Sequence, residues 1–111
     1  MTAYAVAHLR NITINPGIID YLTGIDATLA PYDGRFIIHG GPKDELEGRF
    51  ADDLIVIAFP DLAAARSWYR SAAYQALASL RTQAADGDVF LIDGVDPDHK
   101  ATDIIAGLIA V

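Results

Sequence analysis

"LIVIAF" (Leu54–Phe59) is apolar at every position, and that missing alternation decides what kind of domain this is. Successive side chains of a strand point to opposite faces. Leu54, Val56 and Ala58 therefore point one way, and Ile55, Ile57 and Phe59 the other. "DVFLIDGV" (Asp88–Val95) repeats the feature, with Val89 and Leu91 opposite Phe90 and Ile92. An antiparallel sheet with one wet face should carry polar residues on that face. These two strands instead need cover on both sides.

Working outward, "TAYAVAHLR" (Thr2–Arg10) reads as a first strand. In "NPG" (Asn15–Gly17), Asn15 suits a helix cap and Pro16 the first helical position. Ile18, Leu22, Ile25 and Leu29 then recur at helical spacing, which predicts a helix to about Ala30. Pro31 and Asp33-Gly34 end it. "RFIIH" (Arg35–His39) is a second strand, and the polar "GGPKDELEGRFADD" that follows reads as an irregular hairpin arm leading to LIVIAF. Pro60-Asp61 opens a second helix with Leu62, Ala65 and Tyr69 on one face. A break near Ser71–Ala72 leads into "AYQALASLRTQAA", where Ala73, Leu77 and Leu80 continue the buried stripe. Asp86-Gly87 reads as a turn before strand four.

The order is βαββαβ, an α+β ferredoxin-like domain with an antiparallel sheet and both helices on one face. Leaving the second face wet would forgo roughly 1.5–3 kcal/mol for each large side chain. An apolar patch of that kind marks an interface. The expectation is a homodimer whose two sheets pack face to face. The competing expectation is that the C-terminal extension, residues 96–111, folds back over the face. That extension has an apolar end readable as helix or strand, packed on the domain or on the dimer. Residues 1–95 form the single domain.

Composition excludes several function classes. The chain has 111 residues, 8 Lys+Arg against 15 Asp+Glu and a formal charge of −7, so nucleic acid and anionic membrane surfaces are disfavoured partners. There are no cysteines, which removes thiolate metal sites and cysteine nucleophiles. No flavin, nicotinamide or haem motif is present, and no cofactor is expected. "MTAYAVAHLR" lacks a basic region before a long apolar run, so a cytoplasmic location is the default expectation.

Five segments in order carry a family resemblance: "YDGRFIIHGG" (Tyr32–Gly41), "LEG" (Leu46–Gly48), "AARSWYRSAAYQAL" (Ala64–Leu77), "LR" (Leu80-Arg81) and "LIDGV" (Leu91–Val95). Together they resemble the DUF1330 family of the dimeric α+β barrel superfamily over about residues 2–95. The resemblance implies the ferredoxin-like fold and a face-to-face dimeric α/β barrel. It implies no established activity. The superfamily analogy extends at fold level to cofactor-free oxygenation or isomerisation of small organic molecules. The chain departs from the family pattern at Asp33, where glycine is usual, at His39, where a basic residue often precedes the glycines, and at Asn15-Pro16-Gly17.

The candidate chemistry rests on few residues. His8 and His39 lie on apolar strands and are catalytic candidates for proton transfer, against a reading as hydrogen-bonded packing side chains. With only three histidines and no ligand spacing, no metal site is expected. Arg35, Glu47 and Arg81 match family positions. They read either as an anion-holding arginine with an orienting or basic carboxylate, or as structural ion pairs on the arm. Gly40 and Gly41 read as a strand-end bend that can also shape a ligand cleft. Trp68, Tyr69 and Tyr74 read as core, or as a ligand box with polar tips. The expected function is a small-molecule-binding homodimer with a pocket between sheet and helices. A non-catalytic metabolite-binding or structural dimer is the alternative.

Overall fold

The computed structural model describes residues 1–109. Four strands, β1 (Ala3–Arg10), β2 (Arg35–His39), β3 (Asp53–Phe59) and β4 (Asp86–Asp93), form one antiparallel sheet in the order β2-β3-β1-β4. The helices are α1 (Pro16–Leu29), α2 (Leu62–Arg70), α3 (Ala72–Ala84) and α4 (Asp103–Ile109). This is the expected ferredoxin-like arrangement, with the crossover helix of the second half split in two. Residues 40–52 have no regular structure, as their polarity predicts.

Local chemistry sets the boundaries. The Asn15 side chain accepts a hydrogen bond from the Ile18 N–H at 2.9 Å, with Pro16 opening α1. Asp61 caps α2 through the Ala64 N–H at 2.8 Å. Ser71 serves both helices at the break. Its hydroxyl donates to the Trp68 carbonyl at 2.7 Å and accepts from the Tyr74 N–H at 3.2 Å. One hydroxyl thus closes α2 and opens α3 within a single extended residue. Strand β4 begins at Asp86, so Asp86-Gly87 belongs to the ladder opposite Arg10 and Leu9 and is not the predicted turn.

The register confirms the two-sided reading of LIVIAF. Ala5 lies between Ile57 and Leu91, all facing the helices, while Val6 lies between Val56 and Phe90 on the other face. Ile57 and Phe59 join Ile18, Tyr21, Ile25 and Trp68 in the core on the helix side. On the open side Phe90 is 48% exposed and Ile92 50%. The described part of the extension does not cover them. Every residue of α4 whose burial is described is exposed, including Ile104, Ile105 and Leu108, and residues 110–111 of that extension lie outside the described residues.

The helix stripes differ in detail from expectation. In α1 the buried set is Ile18, Tyr21, Ile25, Thr28 and Leu29, while Leu22 is exposed. In α2 it is Ala65 and Trp68, with Leu62 and Tyr69 only half-buried. In α3 it is Tyr74, Arg81 and Ala84, with Leu77 and Leu80 half-buried and Ala73 exposed. In each helix an aromatic residue takes the inward position beside the expected aliphatic one.

Candidate functional site

Helix α1 packs mainly on α3 and stands off from the sheet. The space left between α1 and the sheet is a cavity of about 250 Å³. Its walls are almost wholly apolar: Ala5, Ile55 and Ile57 from the sheet, Ile18 and Ile25 from α1, and Trp68 from α2. Five polar side chains interrupt that lining. Tyr21, Tyr74 and Arg81 come from the helices, and His39 and Asp53 from the strands.

The helix-side polar group is built on the aromatic core. The Tyr21 and Tyr74 hydroxyls lie 3.0 Å apart and share a hydrogen bond. Trp68 packs on Tyr74, with ring centroids 4.2 Å apart, and on Phe59 at 5.3 Å. Its indole N–H donates to Thr28 Oγ1 at 2.9 Å, and that hydroxyl donates to the Ile25 carbonyl at 2.7 Å. The Trp68 ring is therefore locked and fully satisfied. Burial is the main reason the Tyr21 phenol is pushed far above its ordinary pKa, with the nearby Tyr74 adding to the shift. At any physiological pH it is a neutral hydroxyl.

Arg81 is the exception to polar satisfaction. It is only 7% exposed, and its Nε has no hydrogen-bond partner. Among the described residues no carboxylate pairs with it. Burial alone would lower its pKa, but the Tyr74, Tyr21 and Tyr69 phenols beside it outweigh that, and the net shift is upward. The guanidinium stays charged inside the domain.

The two histidines face opposite sides of the sheet. His39 pairs with Ile55 on the helix side, stacks on Phe36 at 4.4 Å and lines the cavity. A register shift between Phe36 and Ile38 makes this possible. His8 lies on the open face, where its Nε2 is 2.7 Å from Asp52 Oδ2 and its ring 4.8 Å from that of Phe50. The two rings do not share a site.

Other candidates are dispersed. Arg35 lies opposite Ala58 on the open-face side, is exposed and does not line the cavity. Glu47 is exposed on the arm; the carboxylate that orders the arm is Glu45, which accepts from the Phe50 N–H at 2.7 Å. Among the described residues, neither Arg35, Glu47 nor Arg81 enters an ion pair, which corrects the structural ion-pair reading. Tyr69 lines a shallow surface depression with Arg66, Arg70, Gln75 and Leu91, outside the cavity. Gly40 and Gly41 have φ of 68° and 92°, the left-handed geometry that favours glycine, and Gly40 forms part of the cavity wall. The bend and the cleft are one feature. Among the described residues no cluster of three or more His, Asp or Glu side chains is placed to hold a metal ion, and no helix is long and apolar enough to cross a membrane.

Sequence reasoning missed Tyr21 and Asp53 as cavity residues. Tyr21 was legible, because 18, 21, 25 and 28 form a helical stripe as regular as the aliphatic one. Asp53 carried no such signal.

This fold and cavity define a small α+β domain of the ferredoxin-like class. The chain belongs to DUF1330, a family described as a domain of unknown function, whose pattern matches residues 2–95. No curated protein matches the chain. Solved structures of similar fold include a protein of unknown function from Rhodopseudomonas palustris, at 18% identity and TM-score 0.62, covering 86% of this chain and 84% of that one. A dimeric ferredoxin-like protein of unknown function from Jannaschia sp. CCS1 is similar at 12% identity and TM-score 0.62, covering 85% and 100%. SnoaB, a cofactor-independent oxygenase from Streptomyces nogalater, is similar at 12% identity and TM-score 0.59, covering 89% and 98%. At these identities the likeness establishes the fold.

Proposed function

We propose that this protein is a homodimer, joined through the open faces of its sheets, in which each protomer binds a small organic molecule between α1 and the sheet. The observation that carries the binding reading is the cavity of about 250 Å³, apolar on most of its surface with a few convergent polar groups. A volume of that order suits a compact organic ligand. The dimer reading is supported by the exposed Phe90 and Ile92 on the open face and by the dimeric ferredoxin-like neighbours. An apolar cavity with few ionisable groups suits binding more than demanding chemistry, so the non-catalytic reading stands first.

The test of the pocket is an amide NMR titration with a neutral apolar probe, cinnamyl alcohol. Shifts should concentrate on Tyr21, Ile25, Phe36 and Tyr74. Shifts confined to the arm or the open face, or none at all, would contradict the reading.

A catalytic version of the same pocket is favoured by one observation, the His39 ring at the cavity wall. There it would take a proton from a carbon acid held in the apolar space, in the manner of cofactor-free oxygenase or isomerase chemistry. His39→Ala should then lower any turnover by about 100-fold or more. His8→Ala should leave it within a few-fold, because His8 lies across the sheet. Equal losses in both variants would contradict a proton-transfer role for His39.

A further inference from the structure

Resting on the pocket reading, we infer that the cavity is built for a small organic monoacid, whose carboxylate pairs with Arg81 while its apolar body fills the space between α1 and the sheet. The cavity holds an electrostatic imbalance. A buried charge is tolerated when it is paired and hydrogen-bonded, and is costly otherwise. Arg81 is 7% exposed, lines a mostly apolar cavity and leaves its Nε without a partner. No described carboxylate pairs with it, although the chain carries 15 acidic residues. Asp53, the one acidic side chain on the cavity wall, makes no ion pair with it. A counterion that the described residues do not supply completes the site.

The surrounding groups define which anion. A guanidinium binds a carboxylate through a planar fork of donors. The Tyr21 and Tyr74 hydroxyls hold two hydrogens between them and use one in their mutual bond. The second is left to donate to a ligand oxygen. Tyr21 keeps its proton, so the pair adds no negative charge to compete. One cation and one free hydroxyl hydrogen match one carboxylate. A phosphate ester carries more charge than a single arginine balances, and beyond the Tyr21–Tyr74–Arg81 group His39 is the one further ionisable donor on the wall. The rest of the ligand is hydrocarbon, aliphatic or aromatic, of the size the cavity allows.

The test uses two matched pairs of probes, so that shape cannot be mistaken for charge: octanoate with octanol, and cinnamate with cinnamyl alcohol. Isothermal titration of the full chain should show each acid binding at least tenfold tighter than its alcohol, one per protomer. In Arg81→Met the preference should vanish or reverse, with the alcohols bound at least as well as before. Arg81→Met removes a buried charge and fills its place with an apolar chain, so the fold should survive; Arg81→Lys, which keeps the charge, should retain part of the preference. Alcohols binding the native protein as tightly as the acids would overturn the charge assignment and leave the pocket standing. A preference that persists in Arg81→Met would also overturn it. Failure of all four probes to bind would overturn both the monoacid assignment and the pocket.

Discussion

The double substitution Phe90→Asp, Ile92→Asp is expected to give a folded monomer in place of a dimer. Phe90 faces Val6 and Ile92 faces Tyr4 in the β1–β4 ladder, on the side no helix covers. Each is about half exposed in the protomer, at 48% and 50%, so a polar replacement costs the isolated domain little. In a face-to-face dimer the cost is much larger. Each side chain is already half-buried in the protomer, so the dimer adds about half of the roughly 1.5–3 kcal/mol of full burial, and a two-fold interface counts every substitution twice. The new carboxylates would also be desolvated without partners. Loss of both protomers' pairs amounts to about 3–6 kcal/mol, or at least about 100-fold in the dimer constant at 1.4 kcal/mol per tenfold. Sedimentation velocity and far-UV circular dichroism together read the result. A variant that sediments as a dimer at the native protein's concentration would place the interface elsewhere, with the exposed apolar stretch Ile104–Leu108 of α4 the next surface to test.

The second large effect concerns stability. Trp68→Ala should destabilise the domain by about 3–5 kcal/mol. Trp68 is 2% exposed and touches the three rings that join sheet to helices, Phe59, Tyr69 and Tyr74. Its loss also strips Thr28 of the indole donor. Against a typical total of about 5–15 kcal/mol, this removes a large part of the margin, and Tm should fall by about 10–25 °C. Trp68→Phe separates the contributions. It keeps an aromatic ring but loses the N–H and part of the indole's volume, so its cost should fall below that of Trp68→Ala, at about 2–3 kcal/mol. A Trp68→Ala protein within a few degrees of native would mean that the wall of the cavity repacks freely.

The elements were legible because their signals are local. Asn15-Pro16 and Asp61 start helices where they stand, and the unbroken LIVIAF run required cover on both faces before any topology was known. The site was much less legible, for two physical reasons. First, parity along β2 is broken. Counting alternate residues from Phe36 puts His39 on the opposite face, but the register shift between Phe36 and Ile38 reverses the parity and brings both rings to the cavity side. A bulge of this kind leaves no mark in "RFIIH". Second, Arg81 occupies a core position that charge would ordinarily forbid. Tyr74, Leu77, Arg81 and Ala84 recur at three, four and three, a regular inward stripe, and the charged member makes it read as a surface face. The resemblance singled out Arg81, but only the burial of its neighbours shows that it points inward. Arg35 and Glu47 matched the family equally well and lie outside the cavity.

Native mass spectrometry of freshly purified protein reads assembly and pocket together, because stoichiometry and retained ligand appear in one spectrum. The expected species is a dimer carrying up to two copies of a discrete small mass, released on acid denaturation and recovered as an organic acid. A monomer, or a dimer whose adduct persists at the same occupancy in Arg81→Met, would contradict it.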